Sequence, residues 1–254
     1  MIKKKEGLTI LFLTLSKFCL AQAIVTDRPD QTESSSTIPK ESLQLETGFL
    51  FGSSKNNLIK EQQILAPTIL SRYGLTKGIE LRLVTQYESV KSIQSQETSS
   101  GFSDLEIGAK VQLFKKETSL TEIAFLSHLV LPTGPKQLTN DKFGTINKLS
   151  ISHQLTESVC MGYNVGYNYF GFGNGNLTYS LALGIGLTDT IGIYLEPFGE
   201  VLDFETFESS FDGGFTYLFK DNIQFDASFG TGLNHNMNYV SVGCSVNIAT
   251  KNKN

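Results

Sequence analysis

The stretch NLTYSLALGIGLTDTIGIYLEPF, residues 176–198, decides the fold class. From Leu177 to Leu187 every second residue is large and apolar or aromatic, and small or polar residues fill the places between them. This period of two is typical of a β-strand with one apolar face. A soluble sandwich would turn that face inward, whereas an outer-membrane barrel would turn it outward to lipid. The rest of the chain decides between these alternatives.

The composition narrows the class of protein. Of the 254 residues, 40% are hydrophobic and 18% are charged, which excludes a disordered chain. No run approaches the roughly 18 apolar residues of a spanning helix, so the chain is not a polytopic helical membrane protein. The net charge is −4 and no basic cluster follows the first few residues, which excludes a nucleic-acid-binding protein.

Residues 1–23 have the features of a secretory signal peptide. A basic start precedes an apolar core at 8–15, and Ala-Gln-Ala at 21–23 supplies the small residues of a cleavage site. We therefore predict that the chain is exported and cut at that point. The exported chain then divides into a periplasmic N-terminal segment, 24–41, and a β-domain, 42–250.

From residue 42 onward the chain consists of alternating runs. None of them shows the 3.6-residue repeat of an amphipathic helix over three turns, so we predict no helix after the signal peptide. The predicted strands, about twelve, are 42–51, 62–73, 78–88, 102–114, 119–131, 147–156, 158–170, 176–187, 190–200, 208–219, 222–233 and 237–249.

The connections between these runs alternate between short and long. Bacterial outer-membrane barrels have this layout, with tight periplasmic turns and longer outer loops. An even number of strands also places both termini in the periplasm. Short connections are predicted at 74–77, 115–118, near Glu157, 188–189 and 221–222, and long ones at 52–61, 89–101, 132–146, 171–175, 202–208 and 234–237.

In each run the residues between the large apolar ones form a second face. The type of these residues indicates which face meets lipid and which meets water. Several runs carry Gly, Ser, Ala and Asn on this second face, which suits a confined, wet interior better than the outside of a soluble barrel. We therefore predict an all-β fold, a transmembrane antiparallel up-and-down β-barrel of about twelve strands with its apolar face toward lipid. Pro67 within run 62–73 predicts a bulge. Aromatic residues near strand ends are predicted to form interfacial girdles, namely Phe51, Tyr73, Tyr87, Phe114, Tyr169, Tyr179, Phe219 and Tyr239.

Six motifs follow one another in an order shared with a known family. They are TDRPDQTES (26–34), LQLETGF (43–49), RYGLTKGIELRL (72–83), GFSDLEIGAK (101–110), LPTG (131–134) and FDGGFTYLFKDNIQFDASFGTGLN (211–234). On these motifs the chain resembles an outer-membrane β-barrel "transporter" family labelled for the meta-pathway of phenol degradation. The resemblance covers nearly the whole exported chain. It implies an export-targeted barrel, sometimes associated with the catabolism of aromatic compounds.

Charged residues on the polar face are candidates for the lining of the lumen. They would either select solutes by charge or form a cross-strand network that fills a narrow barrel. The acidic excess favours a local preference for cations. The candidates are Glu46, Arg72, Glu80, Arg82, Asp104, Glu106, Lys110, Glu122, His128, Glu196, Glu200, Asp212 and Asp226.

The polar segment before the first strand has two interpretations. It is either a solvated periplasmic tail or a partial plug inside the lumen. In the second case Asp27, Arg28 and Asp30 are the plug candidates, and we expect Arg28 to pair with an interior carboxylate such as Glu46.

The sequence gives little support for catalysis. HExxH, CxxC, P-loop and GxSxG motifs do not occur. A protease site at the outer rim would need Asp203 and His235 to meet, and nothing in the spacing demands that. We therefore predict no enzyme, no metal site and no cofactor.

These observations predict a channel of the bacterial outer membrane for passive uptake of small solutes, with hydrophobic or aromatic ones included. Loops 89–101 and 132–146 and the N-terminal segment would narrow or gate a polar lumen. The expected partners are outer-membrane lipid, the barrel-assembly machinery and a small-molecule solute. The alternatives are a closed barrel with a structural or loop-binding role, and a hydrolase at the rim.

Overall fold

A computed structural model describes residues 24–56, 59–116 and 119–249. The predicted signal peptide, residues 1–23, lies outside this described part of the chain, as does the C-terminus from residue 250. Across the described ranges the chain forms one antiparallel sheet, and it contains no helix with the length and apolarity to cross a membrane. The strands are β1 Ser42–Asn56, β2 Ile59–Thr76, β3 Ile79–Ser92, β4 Thr98–Phe102, β5 Leu105–Lys115, β6 Thr121–Leu131, β7 Gly144–Gln154, β8 Val159–Tyr169, β9 Asn176–Gly186, β10 Ile191–Leu202, β11 Thr206–Lys220, β12 Ile223–Gly232 and β13 Asn236–Ala249.

The sheet closes on itself as a twelve-stranded barrel with one additional short strand. β1 pairs with both β13 and β2, and β2 pairs with β3. Residues 87–91 of β3 pair with β4, and residues 79–84 pair with β5. β4 and β5 therefore share one position in the wall. The predicted antiparallel up-and-down barrel is confirmed.

The two ends of the barrel differ in their connections, but the predicted strict alternation of short and long holds only in part, because 203–205 and 233–235 are shorter than 155–158 and 187–190. What we call the turn end carries short connections, and what we call the loop end carries most of the longer ones. The predicted turn 115–118 is described only in part, because residues 117–118 lie outside the described ranges. The turn end comprises 77–78, 155–158, 187–190 and 221–222, and the loop end comprises 93–97, 132–143, 170–175, 203–205 and 233–235.

Three of the predicted long connections consist mostly of strand, and the prediction is wrong for all three. In the predicted loop 202–208 only residues 203–205 lie between β10 and β11. The predicted loop 52–61 is largely taken up by β1, which continues to Asn56, and β2, which begins at Ile59. The predicted loop 89–101 is likewise shortened by the extension of β3 and by β4. Beyond the lipid both faces of a strand meet water, so the alternation of side chains ends although strand pairing continues.

The predicted bulge at Pro67 is confirmed. The register of β2 against β3 shifts between Leu65 and Thr68, and its register against β1 shifts between Gly48 and Leu50. Proline has no N–H to donate to a neighbouring strand, so the ladder is interrupted at this point.

The wall is apolar outside and polar inside. Within residues 176–198, Leu181 and Leu183 are exposed, whereas Ser180 and Ala182, which alternate with them, are buried. The charged side chain of Arg72 is fully buried inside, with 0% exposure. Soluble proteins have the reverse polarity, because they bury apolar groups and expose charges. The leucine face therefore suits lipid.

Tyr239 is an exception to the predicted aromatic girdles, and the prediction is wrong for it. Its ring lies over the backbone of Gly230, the residue opposite it on β12. Its hydroxyl donates a hydrogen bond to Asp212 at 2.5 Å inside the barrel. Because Gly230 has no side chain, the ring fits into the lumen at a position where it would otherwise overlap the wall.

Candidate functional site: the lumen and its N-terminal segment

The N-terminal segment, residues 24–41, lies inside the barrel. It starts at the turn end, where the Ile24 N–H donates to the Asp221 carbonyl at 2.8 Å, and it returns there, where the Glu41 N–H donates to the Gly74 carbonyl at 2.7 Å. Between these points its groups bond to side chains of strands on opposite walls, from Glu80 on β3 to Asn164 on β8. The segment therefore crosses the turn-end part of the lumen from one wall to the other.

Asp27 is the centre of a buried ion-pair cluster, which we call the Asp27 cluster. Its carboxylate lies 2.5 Å from Arg82 Nη1, 2.8 Å from Lys110 Nζ and 3.3 Å from Arg72 Nη1. Burial alone would raise the pKa of Asp27, but the charges of Arg72, Lys110 and Arg82 hold it well below its usual range. The cluster joins the segment to three strands, β2, β3 and β5.

Wall carboxylates complete the charge balance of this side. Arg72 Nε lies 2.9 Å from Glu80, and Arg72 Nη1 lies 2.9 Å from Glu46. Arg82 Nη2 lies 2.8 Å from Glu33 of the segment. We call the wall formed by β1 to β6 the ion-paired side, because its buried charges have partners of opposite sign. Such a network holds one arrangement and is disrupted when a single partner is lost.

Arg28 fixes the segment at a second place. Its guanidinium lies 3.0 Å from Asp226 and donates to Ser241 at 3.0 Å. A Cβ atom at either Gly48 or Gly243, which face each other on β1 and β13, would overlap this guanidinium. Arg28 therefore pairs with an interior carboxylate, as expected, but that carboxylate is Asp226 and not Glu46. Arg72 occupies the carboxylate of Glu46, and the pair of glycines directs Arg28 to Asp226 instead.

On the opposite side the segment is held by neutral groups that contact one carboxylate. Thr32 Oγ1 lies 2.6 Å from Ser180 Oγ and donates to Glu196 at 2.5 Å. The Gln31 N–H donates to Glu196 at 2.7 Å, and the Glu33 N–H donates to Asn164 at 2.7 Å. We call residues 31–33 with Asn164, Ser180 and Glu196 the seal.

The wall next to the seal carries two pairs of carboxylates on β10 and β11. Glu196 faces Asp212, and Glu200 faces Glu208. We call this wall, β8 to β11, the carboxylate side. Burial and the nearby charges of Glu196 and Asp212 raise the pKa of Asp30, on the segment, well above its usual range.

Cavities lie on both sides of the seal along this wall. A cavity of about 440 Å³ at the loop end is lined by Gln31, Asn164 and Ser180. Two smaller cavities, of about 260 and 220 Å³, lie toward the turn end, and Asp30 and Cys160 line both. Residues of the seal therefore line cavities on both sides of it, with Gln31 in the loop-end cavity and Thr32 in the smaller one.

Most of the lumen candidates from the sequence have side chains buried in the barrel. Glu122 accepts a hydrogen bond from Ser36 of the segment at 2.7 Å, and Glu200 accepts one from Asn176 at 2.9 Å. That these residues line a path for solute stays a prediction. The buried candidates are Glu46, Arg72, Glu80, Arg82, Lys110, His128, Glu196, Asp212 and Asp226.

His128 and Glu106 extend the Asp27 cluster toward the loop end. Arg82 Nε donates to His128 Nε2 at 3.0 Å, so the imidazole proton resides on Nδ1, which lies 2.8 Å from Glu106. Asp104 has another role. Its carboxylate accepts hydrogen bonds from the Gly134 N–H and the Thr139 hydroxyl, both at 2.9 Å, and so holds the connection 132–143.

The residues of the proposed rim hydrolase bond to different partners. Asp203 accepts a hydrogen bond from the Asn174 N–H. His235 Nε2 lies 3.8 Å from Glu208, and its Nδ1 lies 3.3 Å from Asn234. Within the described ranges no group of three His, Cys, Asp or Glu residues is arranged to hold a metal ion.

Sequence reasoning identified Glu196 but missed the other residues of the seal. Gln31 and Thr32 lie within the family motif 26–34, but they and Ser180 are neutral and give no chemical signal of their own. The only available signal was their position, because Ser180 lies on the inward face of an alternating strand. Their partners are more than a hundred residues away in the chain, as with Thr32 and Ser180.

The fold and the lumen define the class of protein as an outer-membrane-type β-barrel with an inserted N-terminal segment. The chain belongs to the family described as "Putative MetA-pathway of phenol degradation", whose model matches residues 26–248. The family resemblance in the sequence is thereby confirmed. The comparison with curated proteins gave no match.

Solved structures of outer-membrane channels have a similar fold. An outer membrane channel from Pseudomonas putida F1 is 12% identical, with a TM-score of 0.71, and the match covers 84% of this chain and 98% of that one. The KdgM porin in complex with disordered oligogalacturonate is 11% identical, with a TM-score of 0.54 and coverage of 80% and 98%. The NanC porin is 9% identical, with a TM-score of 0.51 and the same coverage. At these identities the likeness shows the fold.

Proposed function

We propose that this protein is a passive channel of the bacterial outer membrane for small solutes, in which the N-terminal segment acts as a partial plug. The observation that carries the proposal is the position of the cavities. Residues of the seal line both the loop-end cavity and one of the turn-end cavities, and the second turn-end cavity shares Asp30 and Cys160 with the first. The family's description supports the inclusion of aromatic solutes, and the channel fold supports a role that involves no enzyme chemistry.

The two sides of the segment differ in a way that suits gating. To open the seal, the segment must exchange the hydrogen bonds of Thr32, Gln31 and Glu33 for hydrogen bonds to water. Such an exchange costs little, because a net hydrogen bond contributes about 1 kcal/mol. The Asp27 cluster stays intact during this movement and keeps the segment in the barrel. Solute would then pass along the carboxylate side, where Gly162, Gly184 and other small residues leave room.

A crosslink across the seal tests this path. The hydroxyls of Thr32 and Ser180 lie 2.6 Å apart, so T32C/S180C can form a disulfide when Cys160 and Cys244 are replaced by serine. In proteoliposomes we expect oxidation to stop the flux of small sugars, amino acids and phenols, and reduction to restore it.

The matched control ties the same segment to another strand. Ser35 and Ser152 hydroxyls lie 2.5 Å apart, so S35C/S152C fixes the segment beyond the seal, and we expect its flux to persist after oxidation. Equal inhibition of both variants would contradict a path at the seal. An absence of flux in the reduced protein, with every solute, would favour the closed structural barrel.

A further inference from the structure

The carboxylate side carries an arrangement that strand pairing disfavours. Glu196 and Glu200 on β10 lie directly opposite Asp212 and Glu208 on β11. Like charges in directly opposed positions destabilise a sheet. Here two such pairs occur on the same two strands, four residues apart, which is about 13 Å along a strand.

No Arg or Lys of the described residues forms a salt bridge with these four carboxylates. The nitrogen group that lies close to one of them is the imidazole of His235, whose Nε2 is 3.8 Å from Glu208. The contrast with the ion-paired side is direct, because Glu46 and Glu80 each lie 2.9 Å from Arg72.

Two buried polar groups at the first pair, Glu196 and Asp212, also lack partners within the described part of the chain. Asp212 Oδ1 and the Tyr194 hydroxyl accept and donate no hydrogen bond, although the residues are 0% and 6% exposed. Buried polar groups are normally satisfied, and an orphaned acceptor next to carboxylates is a position where a donor-rich group is favoured.

The second pair, Glu200 and Glu208, opens into the loop-end cavity. Glu200 and Glu208 line it together with the apolar side chains of Phe198 and Met237. The lining of this cavity contains one lysine, Lys148 on β7. Across the sheet, Gly166 on β8 and Thr178 on β9 lie between Lys148 and Glu200, so the lysine is three strands away from that carboxylate. The cavity thus has an acidic pole beside an apolar surface.

We propose that the carboxylate side binds and selects small primary ammonium compounds with an apolar body. The ammonium group would be taken first by Glu200 and Glu208, with its apolar body against Phe198 and Met237. It would next reach Glu196, Asp212 and Asp30 at the seal. The binding part stands alone, and only the selection of solutes for passage rests on the proposed channel function.

Isothermal titration of the exported full chain in detergent micelles tests the binding. Benzylammonium, benzyl alcohol and benzoate have one shape and differ in charge. We expect benzylammonium to bind about tenfold more tightly than benzyl alcohol and benzoate to bind most weakly. In E200Q/E208Q the advantage of benzylammonium should disappear. Equal binding of the three compounds, or tighter binding of benzoate, would overturn the proposal.

Two further variants test whether the preference for benzylammonium depends on the charges of this cavity. Glu88→Gln removes a lumen carboxylate from the ion-paired side, where Glu88 bonds to Gln63 and Ser103, and it should leave the order of the three compounds unchanged. Lys148→Met should strengthen benzylammonium binding about threefold, because it removes the opposing charge from the cavity. An unchanged affinity in K148M together with an unchanged affinity in E200Q/E208Q would reject the site even if one variant folded poorly.

Reversal potentials in planar bilayers separate the two proposals. A conducting wild-type chain without preference for cations would contradict the inference and leave the channel function standing. A chain that binds benzylammonium through Glu200 and Glu208 but carries no current would support the site and contradict the channel.

Discussion

Asp27 and Asp30 are the same residue type, three positions apart on one segment, yet they meet opposite electrostatic surroundings. Asp27 faces Arg72, Arg82 and Lys110, whereas Asp30 faces Glu196 and Asp212. The pKa of Asp27 is held well below its usual range and that of Asp30 is raised well above it. The difference arises from the wall that each carboxyl faces and owes nothing to local sequence.

We infer that the two sides of the lumen have different roles in the proposed channel. On the ion-paired side the charged side chains form ion pairs with one another, and these pairs hold the segment in place. On the carboxylate side the four wall carboxylates form no salt bridge with an Arg or Lys of the described residues, and the segment is held by hydrogen bonds that water can replace. A plug that is fixed along one wall and loosely sealed along the other can open a passage without leaving the barrel.

Removal of the Asp27 carboxylate should break this asymmetry with the largest effect. Asp27→Asn leaves Arg72, Arg82 and Lys110 with fewer negative partners in a buried site, and loss of one partner from a buried network costs about 3–5 kcal/mol. We expect the segment to leave its docked position for much of the time. Hydrogen exchange measured by mass spectrometry should show loss of protection in residues 26–38, and the mean conductance should rise.

The matched control is the same substitution three residues further along. Asp30→Asn removes a carboxyl that faces Glu196 and Asp212, so docking should stay unchanged or become tighter. Equal loss of protection in both variants would mean that the two sides of the lumen do not differ as proposed.

The alternation of side chains was enough to predict the barrel and the direction of its faces. The side chains of one strand already differ between its two faces. Leu181 therefore indicates the lipid face and Ser180 the lumen face without any knowledge of the neighbouring strand. The inward charges of Arg72 and Glu196 were recognisable for the same reason. The family motifs added the class of protein, because their order is shared even where each motif is weak.

The partners of these charges could not be predicted from the sequence. Arg28 and Asp226 are separated by 198 residues, and their contact depends on two glycines, Gly48 and Gly243, that make room for a guanidinium. The girdle prediction failed at Tyr239 because Gly230, on another strand, admits its ring to the lumen. Which side chains meet in the lumen depends on how the barrel closes. The alternation of residues along one strand contains no information about that closure.

A smaller effect is expected from the seal. Thr32→Val keeps the shape of the side chain and removes its hydroxyl, so Ser180 and Glu196 lose a partner at 2.6 and 2.5 Å. A lost hydrogen bond of this kind costs about 1–2 kcal/mol, which corresponds to an open fraction about tenfold higher in single-channel recordings.

Thr26→Val is the control for the seal variant. The Thr26 hydroxyl donates to the Arg28 carbonyl and accepts from Gln224 near the turn end, away from the seal. We expect the open fraction of this variant to match that of the unaltered protein. Equal opening in both variants would show that any loosened contact of the segment opens the lumen, and the seal would lose its special role.

The last effect is expected from pH, through the opposite pKa shifts of Asp27 and Asp30. When the segment is released, Asp27 and Asp30 have pKa values near about 3.9. Docking lowers the pKa of Asp27, so its contribution is complete above about pH 4 and is lost as the pH falls through the lowered value. Docking raises the pKa of Asp30, so its contribution is complete below about pH 4 and is lost as the pH rises through the raised value. The open fraction should therefore be lowest just above about pH 4, and Asp30→Asn should abolish the rise toward neutral pH while it keeps the rise in acid. A rise toward neutral pH that persists in Asp30→Asn would show that the contrast between the two carboxyls does not control the plug.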